Sequence, residues 1–243
     1  MIFTMTGQLD ECLLLAYRTP ADSVRHLLPT GFELLEINGW AFWNVVVSHI
    51  DRMRPLGFPR QAGLSYAHVA YRLYVRIQVA SNQWLDGLYF VRSDADNILI
   101  SYTGNYLTDF KFHPAKITFT QKDSTNRSVI IQNTPDGLGN AHLSWEAQEP
   151  PWDAQSSCFG SLEEAKATLK YTPVSLSLTP NGKGLKLAEV FRDETQWKEE
   201  RLTVTHASWT FFQHLHQDHL TLEMATQVKP IDYRWQLGKR INL

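Results

Sequence analysis

Four side chains with recognition chemistry share one short stretch: His68, Arg72, Tyr74 and Arg76. A histidine, two guanidiniums and a phenol on one face suit a carboxylate or another small anion, because the guanidinium fork matches an oxyanion geometrically. The positions between them are Ala67, Val69, Tyr71, Leu73, Val75, Ile77 and Val79. That alternation has a period of two and predicts a long strand with one apolar and one polar face. A pocket lining and a solvent-facing sheet surface are both compatible with it. Arg92 and Asp94 follow on a second strand expected from Leu88 to Arg92. Two apart, they share a face if the strand continues, and either pair with each other or extend the polar lining. A third short strand is expected from Ile98 to Tyr102.

These residues need a scaffold, and the chain reads as mainly β. Glu11 to Tyr17 forms a strand that runs into Thr19-Pro20-Ala21-Asp22, a helix start with Val24, Leu27 and Leu28 on one side. Phe32 to Ile37 and Trp40 to Ile50 flank Asn38-Gly39, a favoured hairpin turn. The second of these strands is apolar on both faces and belongs in the centre of a sheet, with Asn44, Ser48 and His49 as its polar members. Asp51 to Gly63 carries prolines, glycines and arginines without periodicity and reads as a loop, at that length a lid or rim. Strands at Ile117 to Gln121, Val129 to Gln132 and Ala141 to Ala147 read as a meander. Ser161-Leu162-Glu163-Glu164 writes a capping box for a helix to about Leu169. Further strands are expected at Leu185 to Phe191, Arg201 to Thr210 and Leu220 to Thr226. Many short strands and two helices imply an α+β, mainly β domain over 1–243, its antiparallel sheet closed or nearly closed on itself.

Composition narrows the function classes. The 243 residues hold 23 Lys+Arg against 25 Asp+Glu, so the electrostatic drive of nucleic-acid binding is missing. Cys12 and Cys158 stand alone, outside any C-x-x-C pair, which fits a reducing cytosolic setting. No basic-then-apolar leader and no long apolar run indicates export or a membrane span. The run His206 to His219 includes His214, His216 and Asp218, but HLHQDH reads as a polar turn rather than a metal site. The tryptophans read as core or pocket wall. No cofactor is called for; the expected partner is a small molecule of the carboxylate kind, not a nucleic acid or a membrane, and the sequence is compatible with a homo-oligomer without fixing the oligomeric state.

An ordered set of motifs adds to this reading. Ala16-Tyr17-Arg18-Thr19-Pro20 leads to Leu27-Leu28-Pro29; Leu64-Ser65-Tyr66 leads into Val69 to Arg76; then comes Tyr89-Phe90-Val91-Arg92-Ser93-Asp94-Ala95. The set resembles the YqjF-like family of unknown function, of the acetoacetate decarboxylase-like superfamily, from roughly Leu13 to Phe119. The resemblance implies a barrel-like sheet with flanking helices and an interior pocket. The decarboxylase itself forms a Schiff base through a lysine activated by a neighbouring lysine and by burial. Here Lys111 falls near that place beside Phe112, the paired lysines are missing, and His68 stands where an acid is common. His113 occupies a position often His in the resembling family and would act as acid or base. Three readings follow. One is an interior site for a carboxylate, lined by His68, Arg72, Tyr74, Arg76, Arg92, Asp94 and His113. Another is a Schiff-base lyase using Lys111. The last is a non-catalytic interaction or oligomerisation module with a solvated polar face.

Overall fold

In the computed structural model, residues 2–123, 125–170, 172–179 and 182–242 are described. The elements run β1 (Phe3–Pro20), β2 (Phe32–Leu34), β3 (Trp40–Pro55), β4 (Leu64–Ala80), β5 (Gln83–Ala95), α1 (Ile98–Leu107), β6 (Phe112–Pro114), β7 (Lys116–Gln121), β8 (Asn126–Gln132) and β9 (Ala141–Glu146). They continue with α2 (Leu162–Leu169), β10 (Val174–Leu178), β11 (Gly184–Arg192), β12 (Glu199–Arg201), β13 (Thr203–Trp209), α3 (Thr210–His214), β14 (Thr221–Val228) and β15 (Ile231–Asn242).

The doubly apolar β3 lies between β1 and β4, as its sequence demands. From there the pairings run β4 to β5, β5 to β10, β10 to β11, β11 to β15 and β15 back to β1. The hydrogen bonding therefore returns to its start, and the sheet has an inner and an outer face. The ring is mixed rather than purely antiparallel: β5 pairs in parallel with β10 and with β6. Its closure at β10 is thin, with Ser175 opposite Leu88 as the single registered pair. Gly87 makes that approach feasible, since a Cβ there would meet Leu176 Cγ at 2.6 Å and the Val174 carbonyl at 3.0 Å.

The odd positions of β4 join the main core outside the ring. Val69, Tyr71, Leu73 and Val75 pack with Val129, Ile131, Leu143 and Trp145 of a second sheet, ordered β13-β9-β8-β7. Phe211 and Phe212 of α3 fill the space between, with ring centroids 6.1 and 5.1 Å from Trp43. The even positions turn inward. Tyr66 and Ala70 meet Phe90, Phe110, Phe112 and Tyr233 across the ring, while Tyr74 meets Phe42, Phe159 and Leu169 at the end covered by α2.

Several local expectations change. Ile98 to Tyr102 is the start of helix α1, not a strand: Asn97 caps it by accepting from the Leu99 and Ile100 amides. The segment after Pro20 makes two 3-10 turns rather than one helix, and Thr19 bonds Gln217 instead of capping. Asn38 and Gly39 both take positive φ and close a tight turn, yet β2 pairs with β4 and not with β3. The loop expected from Asp51 begins only after Pro55, because β3 continues past a kink at Arg52. The strand expected from Arg201 to Thr210 is two strands in different sheets, and α3 begins at Thr210. Strands β10 and β15 were not anticipated, although Val174 to Leu178 and Ile231 to Leu237 both alternate apolar and polar residues as a half-buried strand does. The capping box holds: Ser161 accepts from the Glu164 amide and Glu164 accepts from the Gly160 amide.

Trp43 has no solvent exposure and touches both α3 phenylalanines. Trp43→Ala is expected to cost about 3–5 kcal/mol of folding stability, read by urea denaturation.

Candidate functional site

The inner face of β3 and β4 carries a buried polar relay. Arg72 Nη2 donates to Asn44 Oδ1, Asn44 Nδ2 donates to Tyr74 Oη at 2.8 Å, and Tyr74 Oη donates to the Leu169 carbonyl at 2.8 Å. Asn44 and Arg72 lie opposite each other in the β3–β4 register, which is why the two side chains meet. The Arg72 guanidinium carbon also sits 5.4 Å from the centre of the Phe90 ring, a cation–π contact inside the ring of strands. His68 is buried four positions back on the same face, beyond Ala70, its ring 5.2 Å from Phe112, and its Nε2 has no hydrogen-bond partner among the described residues. Burial, reinforced by the Arg72 charge, pushes the imidazole down to about 3, so His68 is neutral at physiological pH. Cys12 is also buried, and burial pushes its thiol up to about 12 despite the nearby Arg72 charge. It is therefore a protonated thiol and no nucleophile.

Arg72 lines a crevice of about 20 Å³ at the thin closure of the ring, shared with Leu88, Phe90, Phe110, Pro173 and Trp235. That is room for about one water molecule. The polar face of β4 is thus neither solvated nor an open pocket: His68, Arg72 and Tyr74 are buried against the opposite wall. Arg76 leaves this group; it stands at the exposed end of β4, bonded to Asp86 and 5.5 Å from the centre of the Trp84 ring.

Arg92 and Asp94 are not part of the interior. The register jumps between Tyr71–Arg92 and Arg72–Phe90, leaving Val91 as the extra residue of a β-bulge. The bulge turns Arg92 and Asp94 to the outer face, where Arg92 lies 5.9 Å from the Phe211 ring centre. There Arg92 Nη2 donates to Asp94 Oδ1 at 2.7 Å and Nη1 donates to Asp136 Oδ2 at 2.6 Å. The second carboxylate fastens the β8–β9 loop to β5, and the loop comes close enough that a Cβ on Gly139 would sit 2.6 Å from Asp94 Oδ1. Hydrogen bonding from Arg92 holds Asp136 at about 2, whereas burial pushes the Asp94 carboxyl upward against the pull of the same guanidinium. This clamp is structural.

His113 sits beside the clamp, its Nδ1 3.2 Å from the Ser93 carbonyl. Lys111 is exposed, in a left-handed backbone conformation, with Nζ donating to Tyr89 Oη at 2.9 Å and lying 4.6 Å from that ring's centre. Tyr89 belongs to the outer core, so Lys111 points away from the interior. Among the described residues no lysine is buried, which leaves the ring interior without an amine for Schiff-base chemistry. No group of three metal-ligating side chains converges among the described residues, His214 and His216 included. Asn44 was legible only as a polar interruption of an apolar strand, and its role depends on which residue β4 sets opposite it.

Comparison with known proteins agrees with this architecture. The family DUF2071, an uncharacterized conserved protein family, matches residues 6–226. No curated protein matches the chain. Among solved structures, an acetoacetate decarboxylase-like enzyme from Sphingomonas wittichii RW1 superposes with a TM-score of 0.58 at 14% identity, covering 100% of this chain and 92% of that one. Acetoacetate decarboxylase from Legionella pneumophila gives 0.58 at 14%, covering 100% and 86%. The enduracididine biosynthesis enzyme MppR, complexed with pyruvate, gives 0.55 at 9%, covering 99% and 89%. At such identities the likeness is one of fold.

Two expectations follow from the geometry. Arg92→Ala strands two carboxylates, one of them fully buried, and should cost about 3–5 kcal/mol in chemical denaturation. His68 binds its proton more weakly folded than unfolded, so the unfolded chain takes up protons as pH falls below about 6.5. Stability should therefore drop from pH 6.5 toward pH 3, and His68→Asn should flatten that part of the profile in pH-resolved melting. The chain belongs to the uncharacterized conserved family DUF2071 and carries it on an acetoacetate decarboxylase-like fold.

Proposed function

We propose that the ring interior binds a small carboxylate-bearing molecule, with Arg72 as the anchoring cation. The observation that carries this reading is a buried guanidinium, steadied by Asn44 Oδ1 and the Phe90 ring, that lines a crevice at the weakest seam of the sheet. A guanidinium is matched to a carboxylate, and a dry environment strengthens that match relative to water. The Nε2 of His68 adds a second polar group on the same wall. Because the crevice is small, the ligand gains access when β10 separates from β5, where one registered pair closes the ring. MppR, which shares the fold, is complexed with pyruvate, so a small carboxylate of that class is the first probe.

Lysine-dependent decarboxylation is not part of this reading, since Lys111 is exposed and bonded to Tyr89. The test is calorimetric and thermal-shift titration with pyruvate and other short carboxylates. At a hundredfold excess over Kd the native protein should gain about 2.7 kcal/mol. Arg72→Met, close in length but uncharged, should lose that gain. Borohydride added with pyruvate should leave Lys111 unmodified; a covalent adduct at Lys111, or equal stabilisation of Arg72→Met, would overturn the reading.

A further inference from the structure

A second site stands on the surface, apart from the interior. Strands β3, β1, β15 and β11 are successive neighbours, and their registers place Arg54, Thr6, Arg234 and Phe191 in one cross-strand row. Directly opposed residues share a face. The row lines a cleft of about 400 Å³, whose other charged members are Arg52, Arg60 and Arg192 with Asp51, Asp193 and Asp232. Five arginines against three aspartates make it positive on a chain whose net charge is −2.

The pairing within the cleft decides which charges remain. Asp51 is engaged by Arg52 at 3.3 Å and Arg60 at 3.6 Å, and accepts from Ser65 Oγ. Arg192 is bonded to Glu194, and Asp193 caps its own turn by accepting from Thr195 and Gln196. Arg54 donates only to the carbonyls of Phe58 and Arg52, and Arg234 has no side-chain partner among the described residues. Asp232, two positions before Arg234 on β15, is the carboxylate nearest to it in sequence. Two guanidiniums without a carboxylate partner thus stand two strands apart, about 10 Å between Cα atoms, with the Thr6 hydroxyl between them.

The backbone is bent to present this row. Arg52 takes φ +51, and a Cβ on Gly63 would fall 2.5 Å from its carbonyl carbon, so Gly63 is required for the kink. The β1–β3 register also shifts between Thr6 and Gln8. Bulges and left-handed residues of this kind re-aim side chains and are kept only where the surrounding structure holds them.

We propose that this cleft binds a small soluble phosphate-bearing molecule, its phosphate held between Arg54 and Arg234 and its non-polar part against the exposed Phe191. Phosphate accepts two parallel N–H bonds from each guanidinium, and an interleaved hydroxyl completes the set. A nucleic acid is disfavoured by the overall negative charge.

The experiment is calorimetric titration with inorganic pyrophosphate at fixed ionic strength, alongside co-sedimentation with phosphatidic acid vesicles. The wild type should bind pyrophosphate. Arg234→Gln, which removes no internal contact, should weaken binding about tenfold, and Arg54→Gln with Arg234→Gln should abolish it while the melting point without ligand stays near wild type. Arg72→Met should bind pyrophosphate normally, which separates this cleft from the interior site. No binding by the wild type, unchanged binding by the double variant, or binding to vesicles alone would overturn the proposal.

Discussion

The structure depends on strands that are buried on both faces. β3 and β4 sit between a second sheet on one side and the opposite wall of their own ring on the other, and each face needs its own cover. Outside, the cover is apolar and supplied by β8, β9 and the two phenylalanines of α3. Inside, it includes a cation, and a buried charge persists only where hydrogen bonds and polarisable partners replace water. Asn44, Tyr74 and the Leu169 carbonyl provide that replacement, so the polar wall also anchors α2 to the ring. One chain of hydrogen bonds joins the inner wall of the ring to the helix that covers its end.

The bulge at Val91 divides the polar residues of the central region into two groups with different tasks. Without it, Arg92 and Asp94 would continue the inner face beyond Phe90. With it, Arg92 leaves the interior and ties the β8–β9 loop down through Asp136, while Arg72 remains the guanidinium of the inner wall of β4. The fold is shared with decarboxylases, yet among the described residues the interior has histidine and arginine and no buried lysine. A common scaffold is compatible with different chemistry because the chemistry resides in the side chains facing inward.

The ring also carries an uneven distribution of strength. Long registered ladders join β1, β3, β4 and β5, whereas β10 meets β5 at one pair, kept close by the missing side chain of Gly87. Local opening follows the least-bonded boundary, which here lies beside Arg72. The basic cleft lies elsewhere on the ring, along the neighbouring strands β3, β1, β15 and β11, where the bend at Arg52 is held by Ser65 and Gly63.

Local pattern was enough for the elements whose burial alternates or is continuous. The period of two in β4, the two-faced apolarity of β3, the meander of β7 to β9 and the capping box of α2 were all legible, because each is a property of neighbouring residues. So were the resemblance to an acetoacetate decarboxylase-like family and the shared strand face of His68, Arg72 and Tyr74. What the sequence did not contain was anything set by distant partners. Strands β10 and β15 alternate locally, yet their partners come from long-range register; Ile98 to Leu107 is a different case, a helix whose adjacent Asn97 cap outweighs a strand-like composition. The faces of Arg92, Asp94 and Lys111 were decided by a one-residue bulge and a left-handed turn, features that displace side chains without altering the local pattern. Whether a polar face is wet, open or sealed depends on what the rest of the chain brings against it, and only the tertiary structure supplies that.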